Sequence, residues 1–161
     1  INHDRPRSGA NHWINEAFCE AISCHSLKVM GKEWKTHPPY GNWKSYAKHL
    51  DSYADRILDP KKAKPEGMEF ATWFEKNEKA LRLGKRHPKY DLYKYVAYQF
   101  YQVIQKDPNQ LVALVYLNEG LESQALSTRD YLSRWKGALP REHRSFADQI
   151  SGLLGVTLGD L

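Results

Sequence analysis

The chain has 161 residues, of which 41% are apolar and 12% aromatic, so it suits one domain with a sizeable hydrophobic core. Its 24 lysines and arginines against 19 aspartates and glutamates give a net charge of +5, which permits acidic partners without requiring them. Two cysteines exclude a disulfide scaffold and a four-cysteine zinc site, and the longest apolar run, Leu111 to Leu117, is too short to span a membrane.

Helical periodicity runs through the whole chain, and no segment alternates apolar and polar residues as a half-buried strand does. Glycines, prolines and capping residues divide the pattern. Seven helices are predicted, over residues 8–30, 42–58, 68–83, 91–106, 107–120, 127–135 and 140–154. We expect Ser8 or Asn11 to cap the first helix and Gly31 to end it. The expected fold is all-α, with six or seven helices packed as an irregular helical lobe around the first helix.

Residues 60–67 (PKKAKPEG) are the most linker-like stretch, because they combine charge and two prolines with no apolar anchor. The pattern is only a weak linker signal, and we expect residues 1–161 to form a single helical domain. The chain starts with Ile1 instead of methionine, so we expect it to be the C-terminal lobe of a longer protein.

The first predicted helix has a polar face of unusual composition. The face consists of six residues within an arc of roughly 140°, namely His12, Asn15, Glu16, Cys19, Glu20 and Ser23. No lysine or arginine occurs from Ser8 to Leu27, although 24 of the 161 residues are basic. Glu16 and Glu20 therefore stand one turn apart without a lysine or arginine one turn away, and like charges at this spacing destabilise a helix.

Two interpretations of this face stay open. A solvated face of an amphipathic helix is the more ordinary one, whereas neighbouring carboxylates without a basic partner are typical of one side of a cation site. The spacing suits a cation site, because one carboxylate can bind a metal while the carboxylate one turn along accepts the ring N–H of a histidine ligand. Catalytic zinc sites of the His₂Glu type use such a carboxylate and leave the fourth position to water.

The stretch from His12 to Ala21 (HWINEAFCEA) resembles the third-ligand helix of gluzincin metallopeptidases. Thermolysin-like families read Ile-Asn-Glu-Ala, followed by an acidic residue four positions after the glutamate. The related zinc aminopeptidases read Trp-Leu-Asn-Glu-Gly-Phe-Ala. The resemblance covers only this short stretch. It implies that Glu16 is a zinc ligand and that Glu20 accepts a hydrogen bond from a histidine ligand.

The partner motif of these families, His-Glu-x-x-His, is absent from the chain. That motif supplies two histidine ligands and the general base, so no catalytic residue can be assigned here. In those families it precedes the third ligand by roughly twenty residues, a position that falls just upstream of Ile1. We therefore expect the chain to be either the C-terminal piece of a longer enzyme or a degenerate, inactive relative.

Two other residues on the polar face have alternative roles. His12 either joins Glu16 at a metal or, as we favour, occupies a surface or capping position near the helix start. Cys19 is either a ligand or, in the favoured interpretation, a small buried hydrophobe. Cys19 and Cys24 are five residues apart and lie on different faces of one helix, which disfavours a disulfide between them.

The loop at residues 36–46 (THPPYGNWKSY) is expected to be structural, with the wall of a substrate cleft as the alternative. Lysines and aromatic residues mingle around it, in a combination that also occurs in nucleic-acid-binding proteins. We do not expect nucleic acid as a partner, because acidic residues are interspersed and no nucleic-acid-binding motif is present.

The leading hypothesis is a fragment of a zinc metallopeptidase that supplies the third zinc ligand and a cleft wall. Its substrate would be a peptide or protein, and its partner would be the upstream segment of the same protein. We expect no complete active site within these residues. The alternative is a non-catalytic helical module that binds a protein or peptide through its aromatic surface.

Overall fold

The computed structural model describes residues 9–59, 67–83, 91–119 and 126–158. These ranges contain six α-helices: α1 (His12–Glu33), α2 (Ala47–Ile57), α3 (Phe70–Arg82), α4 (Asp91–Lys106), α5 (Thr128–Ala138) and α6 (Arg144–Leu153). They also contain four 3₁₀ helices, at Gly9–Asn11, Gly41–Tyr46, Pro108–Tyr116 and Arg141–His143. No strand occurs in the described ranges, and the prediction of an all-α fold is confirmed.

Helix α1 lies at the centre of the fold and packs against α2, α3 and α4. The ring of Phe18 stacks on Phe100 of α4, with 4.4 Å between the ring centroids. It also contacts Trp135 of α5 and Phe146 of α6, at 5.8 and 6.2 Å. Aromatic pairs of this kind add about 0.5–1.5 kcal/mol each beyond the burial of their area. The helices therefore pack around the first one, as the sequence predicts.

Gly31 lies inside α1, so the prediction that it ends the helix is wrong. Helix α2 approaches α1 at this position, and a Cβ atom on residue 31 would meet the carbonyl oxygen of Ala47 at 3.0 Å. The glycine therefore permits a close contact between α1 and α2, and it does not terminate α1. Helix α1 continues to Glu33, and the N–H of Trp34 donates to the carbonyl of Met30 at 2.8 Å.

The segment predicted as a helix over residues 107–120 contains a 3₁₀ helix at Pro108–Tyr116. Asp107 caps it, because its Oδ1 accepts a hydrogen bond from the N–H of Asn109 at 3.2 Å. The apolar residues that follow run continuously and do not mark one face of an α-helix. The chain consequently forms the tighter helix, which buries Ala113 and Leu114.

The other predicted boundaries differ from the structure by small shifts. The helix predicted over residues 91–106 has the same bounds as α4, and α3 and α5 start two residues and one residue later than predicted. The predicted helices over 42–58 and 140–154 each begin with a 3₁₀ turn. Ser8, Gly120 and residues 60–66 of the predicted linker lie outside the described residues. None of the helices in the described ranges has the length and apolar character needed to cross a membrane.

Candidate functional site

An open groove with a volume of about 450 Å³ runs along the polar face of α1. Side chains of three helices line it: Glu16, Cys19, Glu20, Ser23 and Leu27 of α1, Tyr53 and Ile57 of α2, and Lys94 of α4. Both predicted site residues, Glu16 and Glu20, therefore border the same groove. Their spacing accounts for this, because residues four apart are neighbours on a helix surface.

The groove is accessible because α1 is buried on one side only. The buried side carries Trp13, Ile14, Ala17, Phe18 and Ala21, each at most 1% exposed. On the other side, the Glu16 side chain is 57% exposed and Glu20 is half-buried. A central helix thus presents two carboxylates on a surface that a group from outside these residues can reach.

Glu16 contacts a histidine within α1. Its Oε1 lies 2.8 Å from Nε2 of His12, which precedes it by one turn. We expected His12 to occupy a surface position near the helix start, and one third of its side chain is indeed exposed, at 34%. The imidazole therefore lies against one oxygen of the Glu16 carboxylate.

Lys94 of α4 lines the same groove as Glu16 and Glu20. The expectation that these carboxylates lack a basic neighbour considered only positions one turn away on the first helix. In the folded chain, the packing of α4 against α1 brings a lysine to the same groove. The groove therefore carries charges of both signs.

The two cysteines are free and lie in different environments, as their spacing predicts. Cys24 is buried, whereas Cys19 is exposed, so the expectation that Cys19 is a buried hydrophobe is wrong. Partial burial of the sulfur, and then the nearby Glu16 carboxylate, raise the pKa of the Cys19 thiol. A protonated thiol is a poor metal ligand, so the carboxylates are the better donors in this groove.

The donor set of the groove fits one part of a zinc site. Zinc accepts carboxylate oxygen, and Glu16 offers an exposed carboxylate with a second one a turn along at Glu20. Among the described residues, no group of three or more His, Cys, Asp and Glu side chains could hold a metal ion. Within the described residues, the groove therefore offers carboxylate donors without a complete metal site.

Buried polar side chains fix the start of α1, and no pattern in the sequence predicts them. The hydroxyl of Tyr131 in α5 donates to Oδ1 of Asn118 at 3.0 Å and lies 3.4 Å from Oδ1 of Asn15. Burial raises the pKa of Tyr131, which keeps the hydroxyl protonated as a donor. Asn15 is only 7% exposed, although helical spacing places it on the polar face.

A second buried network surrounds Asn11, which immediately precedes α1. Arg82 of α3 donates to Oδ1 of Asn11 at 2.9 Å and to the carbonyl of Leu126 at 3.0 Å. The amide of Asn11 also donates to Leu126, at 2.8 Å, so its side chain makes no capping hydrogen bond to α1. The hydroxyl of Thr128 donates to the carboxylate of Glu78 and lies 3.3 Å from Oδ1 of Asn11. Helices α3 and α5 thereby hold the first turn of α1 in place.

Comparisons of the chain with protein-family models, with curated proteins and with solved structures found no match. Function is therefore inferred from the groove itself, with its two carboxylates on a firmly held helix.

Proposed function

We propose that the chain is the helical C-terminal part of a zinc metallopeptidase, with Glu16 as the third zinc ligand. The observation that carries the proposal is the projection of Glu16 and Glu20 from one face of the central helix into an open groove. If the remaining ligands come from another segment, the ligand carboxylate has to be accessible. The 57% exposure of the Glu16 side chain meets this requirement.

Each carboxylate has its own role in the proposal. Glu16 would complete a His₂Glu site whose histidines and general base lie outside these residues. Glu20 would accept the ring N–H of one of those histidines and fix its orientation. When bound, zinc would lower the pKa of its water and polarise the carbonyl of the substrate. The residues of this chain present and orient the carboxylates, and they form one wall of the cleft.

The rigidity of α1 supports a ligand role. Functional side chains have to be held within about 0.5 Å of their working position, which requires support from the residues behind them. Here the apolar side of α1 is buried, and the networks around Asn11 and Asn15 fix its first turn. Glu16 lies directly after these anchored positions, on a helix that has little freedom to shift.

A second candidate function is a non-catalytic module that binds a protein or peptide. Four exposed aromatic side chains favour it: Tyr40, Trp43, Tyr46 and Tyr53 are 63%, 38%, 56% and 50% exposed. Such a module needs no metal. The two functions therefore differ in the expected effect of a substitution at Glu16. The peptidase would lose bound zinc, whereas the binding module would show no change in zinc content.

The coding sequence upstream of Ile1 provides the first test. We expect His-Glu-x-x-His to occur there, roughly twenty residues before Glu16. An open reading frame that starts close to Ile1 without this motif would overturn the proposal and leave the binding module as the better candidate.

The zinc content of the full-length protein provides the second test. We expect Glu16→Ala and Glu16→Gln to lose bound zinc, as measured by elemental analysis of the purified, folded protein. Glu20→Ala is expected to weaken zinc binding by about 10–100-fold, because it removes the support of a ligand. Glu75→Ala is the matched control, since Glu75 is exposed on α3. Unchanged zinc content in folded Glu16→Ala would refute the ligand assignment.

A further inference from the structure

The groove along α1 is lined by different chemical groups in its two parts. The earlier turns of α1 contribute two carboxylates, Glu16 and Glu20. A later turn contributes Leu27, and α2 adds Tyr53 and Ile57. We call Leu27, Tyr53 and Ile57 the apolar end of the groove. A molecule that occupies the whole groove therefore meets charge in one part and apolar surface in the other.

The packing of α2 against α1 determines where the apolar end lies. A Cβ atom on Gly31 would meet backbone atoms of Ala47 and Asp51. Three residues earlier on α1, Nζ of Lys28 lies 2.9 Å from Oδ1 of Asp51 and 2.6 Å from Oδ1 of Asp55. Earlier positions on α1 thus meet later positions on α2, so the two helices run antiparallel. The middle of α1 and the last turns of α2 therefore build the apolar end together.

Contacts behind the apolar end support its side chains. Leu27 and Ile57 are partly buried and pack against the hydrophobic core. Tyr53 is 50% exposed, and the guanidinium of Arg56 lies over its ring, 5.5 Å from the centroid. A cation over an aromatic face is attracted to it, which favours one position of the ring. The apolar end is therefore present before any ligand binds.

The lining of the apolar end favours an apolar group over a charged one. A carboxylate or an ammonium group placed against Leu27 and Ile57 would lose hydration without gaining a hydrogen bond from them. The nearby guanidinium of Arg56 also repels a basic side chain. Ser23 lines the groove too, but its hydroxyl donates to the carbonyl of Cys19 at 2.7 Å and is engaged within α1. An apolar side chain, by contrast, gains free energy when this surface covers it.

The distance between the two parts of the groove suits a short stretch of extended peptide. Leu27 follows Glu20 by seven residues and Glu16 by eleven, which corresponds to about 11 and 17 Å along the helix. An extended peptide covers about 3.3 Å per residue and spans these distances with about three to five residues. The groove volume of about 450 Å³ also lies within the range of about 300–1,000 Å³ that is usual for sites of small ligands.

We propose that the apolar end is a subsite for an apolar side chain, of the size of leucine, in an extended peptide substrate. This side chain lies about three to five residues from the bond that is cleaved. As a statement about substrates, the inference rests on the proposed function. Binding of the apolar side chain itself depends only on Leu27, Tyr53 and Ile57.

The test measures peptide binding to the full-length protein by fluorescence anisotropy, with a chelator present so that cleavage does not compete. The probes are labelled decapeptides of serine and alanine, in which the same serine positions are kept or replaced by leucine or glutamate. We expect the leucine peptide to bind about tenfold more tightly than the serine peptide. Tyr53→Lys should remove most of this preference and should bind the glutamate peptide more tightly than the unaltered protein does, because it places an ammonium group at the apolar end.

The same substitution at a second tyrosine serves as the matched control. Tyr46 is 56% exposed and does not line the groove, so Tyr46→Lys changes the net charge equally and should alter the affinity for the leucine peptide by less than about twofold. Leu27→Ala keeps all charges and should also weaken binding of the leucine peptide. Circular dichroism establishes that each variant is folded before its affinity is compared.

Three results would overturn the inference. They are equal affinity, or no detectable affinity, for the leucine and serine peptides, equal effects of Tyr53→Lys and Tyr46→Lys, and self-association of the protein that Tyr53→Lys abolishes, which would assign the apolar end to a second copy of the chain. Failure of the proposed function is recognised separately. If Glu16→Ala keeps its zinc while the leucine peptide is still preferred, only the peptidase proposal is refuted. Loss of zinc in Glu16→Ala without a preference for leucine refutes only the subsite.

Discussion

Nε2 of His12 lies 2.8 Å from Oε1 of Glu16, so the proposed zinc ligand has a partner one turn before it on α1. Residues four apart on a helix are neighbours, and this pair needs no other element to bring it together. The side chains are 34% and 57% exposed, which means that water screens their attraction. The pair therefore orients the Glu16 carboxylate more than it stabilises the fold.

His12→Ala is expected to change the free energy of unfolding by less than about 0.5 kcal/mol, because exposed ion pairs contribute little. The neighbouring Asn11→Ala should cost about 1–3 kcal/mol, since Asn11 is fully buried and its loss removes one hydrogen-bond partner each from Arg82 and the carbonyl of Leu126. Urea denaturation followed by circular dichroism measures both values. Equal losses in the two variants would show that the His12–Glu16 pair is a structural contact.

The two cysteines are expected to differ in reactivity. Burial, and then the nearby Glu20 carboxylate, raise the pKa of Cys24 to about 11, and its side chain is fully buried. Cys19 is exposed, although its own pKa is raised. Since the thiolate is the reactive form, a thiol reagent at about pH 8 should modify Cys19 alone in the folded protein, and more slowly than free cysteine.

The variants Cys19→Ser and Cys24→Ser identify the reacting thiol. Folded Cys19→Ser should show no rapid modification, folded Cys24→Ser should react as the unaltered protein does, and both thiols should react in denaturant. Rapid modification of both cysteines without denaturant would contradict the buried position of Cys24.

Acid should weaken the contact between Asp51 and Lys28. The hydrogen bond from the Lys28 ammonium lowers the pKa of Asp51 below its ordinary value of 3.8. A carboxylate with a lowered pKa in the folded state contributes stability that is present above the ordinary value and is lost as the pH falls through the folded one. Asp51→Asn should therefore be less stable than the unaltered protein near neutral pH.

The difference between Asp51→Asn and the unaltered protein should shrink as the pH is lowered below about 4. Urea denaturation at a series of pH values measures it, and Glu75→Gln is the control for removing an exposed carboxylate. A difference that stays constant down to about pH 2 would argue against an ionised Asp51 as the source of the effect.

Local periodicity was sufficient to predict the all-α fold and the joint position of Glu16 and Glu20. Residues four apart share a helix face whatever the rest of the fold does, and the bounds of α4 follow from its apolar spacing. The same reasoning was wrong where a second helix packs over the predicted face. Its position on the helical wheel places Asn15 on the polar face, yet Tyr131 of α5 covers it. No property of an isolated helix indicates this contact.

The composition of the groove also depends on tertiary packing. The sequence places Lys94 far from Glu16 along the chain, and only the contact between α4 and α1 brings both to one groove. The role of Gly31 depends on tertiary packing as well. From sequence alone, a glycine near the end of a helical pattern usually marks the C-terminus of the helix. Its role depends on the backbone of α2, which lies beside it in the fold.

Gly31→Ala is expected to destabilise the protein, against the usual benefit of alanine in a helix. A Cβ atom there would lie 3.0 Å from the carbonyl oxygen of Ala47 and 3.2 Å from the backbone nitrogen of Asp51. Backbone atoms cannot rotate away as a flexible side chain would, so α1 and α2 would have to separate. The expected loss is about 1–3 kcal/mol in the free energy of unfolding, typical of overpacking.

Gly152→Ala is the matched control, because Gly152 lies within α6 and its added Cβ would meet no atom within 4 Å. Alanine is favoured over glycine in helices, so this change should stabilise the protein by about 0.5 kcal/mol. Urea denaturation of both variants gives the comparison. If Gly31→Ala were as stable as Gly152→Ala, α1 and α2 would not approach as closely as the structure shows. The groove that both helices line would then be wider.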